Sequence, residues 1–319
     1  MECDTPKVEL ALPPDTQVWK DCLDWLCAAV PEVGRRTGRD PAEVSGHGVE
    51  FAHIVCLDAS GCGEKDDLRN LEALSCLLPG CILPGIRYHI HYYYSDRGQS
   101  QYTDPLPYFM VTRAGAVCFS PNCQAALLLR AEEQTAYFRA CFSRLKKSCH
   151  LMPEYLESPE ETAKAYDEIA AEEGGCAILP QPWSQKMPGK DWILLFPRKG
   201  ILDFLETGRL DNPFTGEADV LTENRRDRVW GEFLDALSRR SLKGRIVNDG
   251  MFHLSRRFLM AASSGGMLLC GDGAGWGIRI REGLFWRAVR DWAVYFSDSE
   301  DVFDREETMG MLAEMCGRK

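Results

Sequence analysis

The chain has 319 residues, a formal net charge of −11, and 45% hydrophobic and 27% charged residues. This length allows one large domain or two smaller ones, and the negative balance excludes a broad electrostatic grip on nucleic-acid phosphate. No apolar run reaches the roughly 18 residues that span a bilayer, and Met1-Glu2-Cys3-Asp4 opens no secretory leader, so a cytoplasmic protein without membrane contact is expected.

The elements follow in chain order. Trp19, Cys22, Leu23, Leu26 and Val30 share one face of a helix that Pro13-Pro14 precedes and Pro31 limits. Phe51–Asp58 is a near-continuous apolar run, the pattern of a strand buried on both faces. Residues 66–78 have helical period, and Ile86–Tyr94 alternates as an aromatic-rich strand. Tyr108–Phe119 reads as a strand, a Gly turn and a second strand, followed by the apolar strand Leu127–Arg130 and a helix from Gln134 to Leu145. A break falls near Cys149–Ser158, where Ser158-Pro159-Glu160-Glu161 starts a helix with a capping box. Ala177–Pro180 and Trp192–Phe196 are short strands, and the helix 200–207 ends at Gly208. A longer helix covers 224–240, and Gly244–Val247 is a strand. Phe258–Leu269 then repeats the first hairpin 150 positions later, followed by the strand Ile278–Arg281 and a helix from Leu284 to Phe296. Asp304 caps the last helix.

Two copies of one hairpin–strand–helix unit imply an α/β protein of two similar halves, 1–150 and 151–319, related by a pseudo-twofold axis. The arrangement resembles the phospholipase D superfamily, in which each half supplies His-x-Lys-x4-Asp followed by Gly-Ser-x-Asn. That chemistry uses one His as nucleophile and another as acid, with Lys and Asn holding phosphate charge. Placing Phe119-Ser120-Pro121-Asn122 on the second motif puts Pro105, Pro107 and Thr112 where His, Lys and Asp belong. In the second half Leu269-Cys270-Gly271-Asp272 brings Ser255, Arg257 and Ala262 to those positions. The resemblance thus implies the sandwich fold without its catalytic motifs.

A second resemblance rests on Tyr88–Tyr94, Tyr108–Thr112, Gly200–Arg209 and Ser297–Thr308. These stretches are similar to the carboxy-terminal effector region of helix-turn-helix regulators of the xenobiotic-response-element type in Gram-positive anaerobes. It implies a non-enzymatic sensory or dimerising region, here without an evident DNA-binding head. The rival expectations are a diverged hydrolase using relocated histidines and a plain protein-interaction module. Expected partners are a small-molecule ligand, a second copy, or a DNA-binding protein. The ligand is expected between the halves near Thr112, Ser120, Asn122, Arg257 and Asp272, with His89 and His91 as further candidates.

The remaining motifs favour plainer readings. Arg35, Arg36 and Arg39 lie in a stretch, 31–45, where Pro41, Gly46 and Gly48 leave little recognition helix. His89 and His91 share one strand face but need a third ligand to hold a metal, so neither metal nor cofactor is expected. The turn Gly271–Gly277 lacks both the dinucleotide fingerprint and a phosphate-loop Lys. The 14 cysteines are scattered without zinc-knuckle spacing and are read as small hydrophobes.

Overall fold

The computed structural model describes residues 6–25, 49–58, 64–81, 86–95, 106–179, 181, 188–215, 217–239, 243–247, 258–271, 277–281, 283–297, 299 and 302–317. The chain divides into two compact units, Met1–Pro153 and Glu154–Lys319.

The first unit runs β1 (Lys7–Ala11), α1 (residues 17–25), β2 (Val49–Asp58), α2 (Glu64–Cys81), β3 (Ile86–Ser95), β4 (Tyr108–Thr112), β5 (Gly115–Phe119), β6 (Ala126–Leu129), α3 (Glu132–Lys146) and β7 (His150–Leu151). The second begins with β8 (Pro153–Leu156), α4 (Pro159–Ala170), β9 (Gly175–Ile178), β10 (Trp192–Pro197), α5 (Arg198–Thr207), β11 (Arg209–Asp211) and β12 (Ala218–Val220). It continues with α6 (Glu223–Arg239), β13 (Lys243–Val247), β14 (Leu259–Ser263), β15 (Gly266–Cys270), β16 (Gly277–Ile280), α7 (Gly283–Ser297) and α8 (Arg305–Gly317).

Each unit holds a seven-stranded mixed sheet, ordered β6-β5-β4-β1-β2-β3-β7 and β13-β10-β9-β14-β15-β16-β8. In the first, β1, β2 and β3 are parallel, while β4, β5 and β6 continue antiparallel from β1. In the second, β9, β10 and β13 are parallel, while β14, β15 and β16 continue antiparallel from β9. The succession β6-β5-β4-β1-β2-β3 therefore recurs as β16-β15-β14-β9-β10-β13. This is an α/β protein with an internal repeat, consistent with a duplicated phospholipase D-like fold.

Helices cover the sheets through apolar stripes. The α3 residue Phe142 packs with Ala11, Ile54, Phe109, Val111, Ala116 and Cys118 on one face of the first sheet. The larger core of the second unit joins Tyr166 and Ile169 of α4 to Leu194, Phe196, Ala261, Leu268 and Cys270, with Phe204, Phe233 and Leu312 completing it. Cys176 and Val289 meet on the opposite face, beneath α7. The sulfur contacts follow from packing: Cys81, Cys176 and Cys270 are buried thiols that desolvation pushes up to about 12. Among the described residues no helix is long and apolar enough to cross a membrane.

The structure refines the expected elements in three places. β1, the central strand of the first sheet, is a five-residue segment whose Lys7 and Glu9 mask its alternation. The expected break near Cys149–Ser158 contains two short strands, β7 and β8, one for each sheet. The repeat register is 151 rather than 150. Gly115 (φ 150°) and Gly266 (φ 120°) open equivalent strands, and a Cβ on either would lie 2.5 Å from the Leu129 carbonyl oxygen or 2.7 Å from that of Ile280. Thr112 Oγ1 accepts from the Ala114 amide at 3.1 Å, as Ser263 Oγ accepts from the Gly265 amide at 3.2 Å. The segment from β4 through α3 (108–146) then matches β14 through α7 (259–297) without an insertion.

Candidate functional site

A one-residue slip turns every strand side chain to the other face, so the new register reassigns the second half of the expected site. Thr112 corresponds to Ser263, not Ala262. Pro107 corresponds to Phe258, not Arg257, while the counterpart of Asn122 by count, Gly273, lies outside the described residues. Arg257 and Asp272 themselves, together with Pro105, Ser255, His253 and the basic stretch 31–45, lie outside the described residues.

The structure also separates the first-half residues. β4 runs antiparallel to β1, so Thr112 sits at the amino end of β1 and Tyr108 at its carboxyl end. Ser120 follows Phe119, which pairs with Tyr108, and so Ser120 and Asn122 lie at the carboxyl ends of the parallel strands. That is the rim where open α/β sheets bind ligands. Thr112 is at the opposite end of the hairpin. Its hydroxyl organises the turn, and its carbonyl accepts from Arg139 Nη2 at 3.0 Å.

At the rim, the turn 120–125 is closed on itself. Ser120 Oγ donates to Asn122 Oδ1 at 2.8 Å and accepts from the Ala125 amide at 3.0 Å. Asn122 Oδ1 also accepts from the Gln124 amide, and its Nδ2 donates to Gln124 Oε1. Cys123 adopts φ 56° inside this turn. The polar groups are exposed and pre-ordered, with the Asn122 amide the shape of a group that holds a polar ligand rather than one that transfers a proton.

The described histidines occupy three settings: His53 in the core, His89 and His91 on β3, and His150 exposed on the edge strand β7 beside Tyr92. His53 on β2 is fully buried. Its Nε2 lies 2.7 Å from the Leu12 carbonyl oxygen, which can only accept, so Nε2 carries the proton. Nδ1 then accepts from the Tyr88 hydroxyl at 2.6 Å. Trp19 stacks on Tyr88 and anchors its own indole N–H to the Cys76 carbonyl at 2.9 Å. Desolvation holds the His53 pKa down at about 4, against the partial counter-effect of the Leu12 hydrogen bond. This imidazole is a neutral core group, saturated at both nitrogens.

His89 and His91 alternate with Tyr88, Ile90 and Tyr92 on β3 and face the α3 side of the sheet. His91 is buried, and its Nε2 has no hydrogen-bond partner. Burial first, then the positive charges of Lys146 and Lys7 together with His89, lowers its pKa to about 4. His89 is lowered as well, chiefly by burial, with Glu50 opposing and Lys146, Arg87 and Lys7 adding. Lys7 is itself held 3.5 Å from Glu9 and 3.8 Å from Glu50. The result is a polar patch of two neutral imidazoles beside Lys146. Among the described residues no group of three His, Cys, Asp or Glu side chains is placed to hold a metal ion.

In the second unit the corresponding rim carries Gln181. It is buried, accepts from the Asp211 amide at 2.7 Å and donates to Asp211 Oδ2 at 3.4 Å. Arg209 closes on Asp211 at 2.9 Å. Sequence patterning gave no sign of this triad, because its members come from a rim loop and the small β11–β12 hairpin. The network is satisfied internally and pins the hairpin to the end of β9. Comparison of the chain with protein-family models and with curated proteins finds no match.

Proposed function

We propose that this chain is a non-enzymatic sensory or dimerising region of a transcriptional regulator, built on a duplicated phospholipase D-like scaffold. The observation that carries this reading is the placement of the histidines. The rim at the carboxyl ends of β1–β3, where open α/β sheets bind ligands, presents the self-closed Ser120–Asn122 turn. The described histidines lie elsewhere: His53 is saturated in the core, His89 and His91 face α3 as neutral imidazoles, and His150 is exposed on the edge strand β7. A nucleophile–acid pair across one phosphate needs two imidazoles on opposite sides of it, which neighbours on one strand face do not supply. The exposed polar turn fits recognition of a small polar ligand, and the regulator role comes from the family resemblance.

The test combines thermal-shift screening with a phosphodiesterase assay. A ligand at 100 times its dissociation constant stabilises the protein by about 2.7 kcal/mol, and Asn122→Ala abolishes that shift. A plain interaction module gives no shift with any small molecule. The second reading, a hydrolase with relocated histidines, draws on the unpartnered Nε2 of His91 beside His89 and Lys146. Turnover of a phosphodiester that disappears in both His89→Ala and His91→Ala establishes that reading and ends the first.

A further inference from the structure

The two halves cover the same surface differently. In the second unit, β8 pairs along the outer edge of β16, and α4 lies over the adjoining face of β14, β15 and β16. Four contacts seat this strand–helix segment. Arg281 Nε donates to Glu154 Oε2 on β8 at 3.1 Å. Arg279 Nη1 donates to Glu168 Oε2 on α4 at 2.6 Å. Ser263 Oγ donates to the Ile169 carbonyl at 2.8 Å, and Gly277 lets Thr162 approach so closely that a Cβ there would lie 2.8 Å from it.

At 151 residues' offset, the first unit presents the same surface through β4, β5 and β6. Among the described residues no strand pairs with the outer edge of β6. Of the described helices, α1 sets Trp19 against His53 and Tyr88 of β2 and β3. α2 packs on β2 and β3, and α3 packs on β1, β4 and β5 through the Phe109–Val111–Cys118 face. The consequences show residue by residue. Leu128 is 53% exposed where its counterpart Arg279 is 7% exposed. Leu127 is 49% exposed, and Ala126 is exposed where Gly277 is buried. On the same face Met110 and Val117 are half-buried and Phe119 is buried. Arg130, the counterpart of Arg281, is exposed and has no carboxylate partner among the described residues.

An edge strand of Ala-Leu-Leu-Leu has none of the usual protection, neither charge, proline nor bulge. Its duplicate shows what completes such an edge: an extended segment that supplies a carboxylate to the arginine, followed by an amphipathic helix on the face. We infer that the β6 edge and the adjoining face of β4–β6 dock an acidic strand–helix segment of another polypeptide, its strand extending the first sheet and its carboxylate meeting Arg130. Backbone pairing supplies affinity, and the Arg130 ion pair and Leu128 contact set register and choice. Leu128 in place of Arg279 specifies an apolar helix residue where α4 has Glu168. The inference is independent of any small ligand at the Ser120–Asn122 turn.

The probe is a synthetic peptide of this chain's residues 153–171, the β8–α4 segment, added to the full chain. Fluorescence anisotropy reads affinity, and hydrogen exchange reads location. The peptide is expected to bind and to slow exchange at 126–129. Glu168→Leu in the peptide tightens binding. Arg130→Glu in the protein, an exposed change that circular dichroism should show to leave the fold intact, weakens binding roughly fivefold or more, and a Glu154→Lys peptide restores it. No binding up to about 1 mM peptide overturns the inference. So does binding indifferent to Arg130→Glu, or protection confined to 277–280, which means exchange with the resident β8. Self-association that Leu128→Lys abolishes and the peptide does not compete overturns it in favour of a second copy pairing at β6.

Discussion

His53 binds its proton near pH 6.5 when the chain is unfolded and only near 4 in the folded core, where Leu12 and Tyr88 occupy both ring nitrogens. Between those values the unfolded state holds more protons, so stability falls as the pH drops from about 6.5 to about 4 and is fully present above that window. The loss from this group reaches about 3 kcal/mol, and His91 adds to it with the same sign. Urea denaturation at pH 7 and pH 5 measures the slope, and His53→Gln should flatten it. A second residue-scale effect is set by the repeat turns. Gly266→Ala forces a side chain to φ 120° and into the Ile280 carbonyl, so it should destabilise by about 1–3 kcal/mol in thermal melts. Equal stability of the variant refutes the strained-turn account. The apolar run Phe51–Asp58 already marks His53 as internal, but its sealing partners Leu12 and Tyr88, 41 and 35 positions away, leave no local pattern.

Secondary elements were legible wherever local chemistry alone decides them. Ser158 caps α4 as its pattern predicts, with Ser158 Oγ accepting from the Glu161 amide at 3.1 Å and Glu161 Oε2 accepting from the Glu157 amide at 3.0 Å. Asp304 and Glu307 form the reciprocal pair at the start of α8, at 2.8 and 3.0 Å. Gly208 ends α5 at φ 66°. Ser158→Ala should cost about 1 kcal/mol, read from the denaturation midpoint. A loss confined to the noise means that packing of Tyr166 and Ile169 holds α4 without its cap. Short strands escaped for the converse reason. β1, β7 and β8 carry Lys7 and Glu9, His150, and Pro153 and Glu154 where the strands that were legible have apolar runs, and only pairing with β2, β3 and β16 makes them strands.

On the scale of the whole chain, each unit repeats one sheet succession, and the linker region contributes a strand to each sheet. The edge opposite β8 is completed in the second unit by a reduced version of β7. Val302 bridges Val247, and the Phe303 amide donates to the Ile246 carbonyl at 3.1 Å, as the Met152 amide donates to that of Ile90 at 2.9 Å. The regulator reading makes its prediction at this scale as well. Purified protein should leave a generic phosphodiester intact at neutral pH, while a matched small ligand raises its melting temperature in proportion to the logarithm of concentration.

The sequence by itself determined the α/β class, the doubled hairpin–strand–helix unit and the helix caps, because these rest on periodicity and on hydrogen bonds between residues three or four apart. Only the tertiary structure decided the repeat register, the separation of Thr112 from Ser120 and Asn122, the enclosure of His53 and the exposure of Leu127 and Leu128 on β6. Those depend on which strands pair and at which end they finish, and contacts between residues tens to hundreds of positions apart leave no local pattern to read.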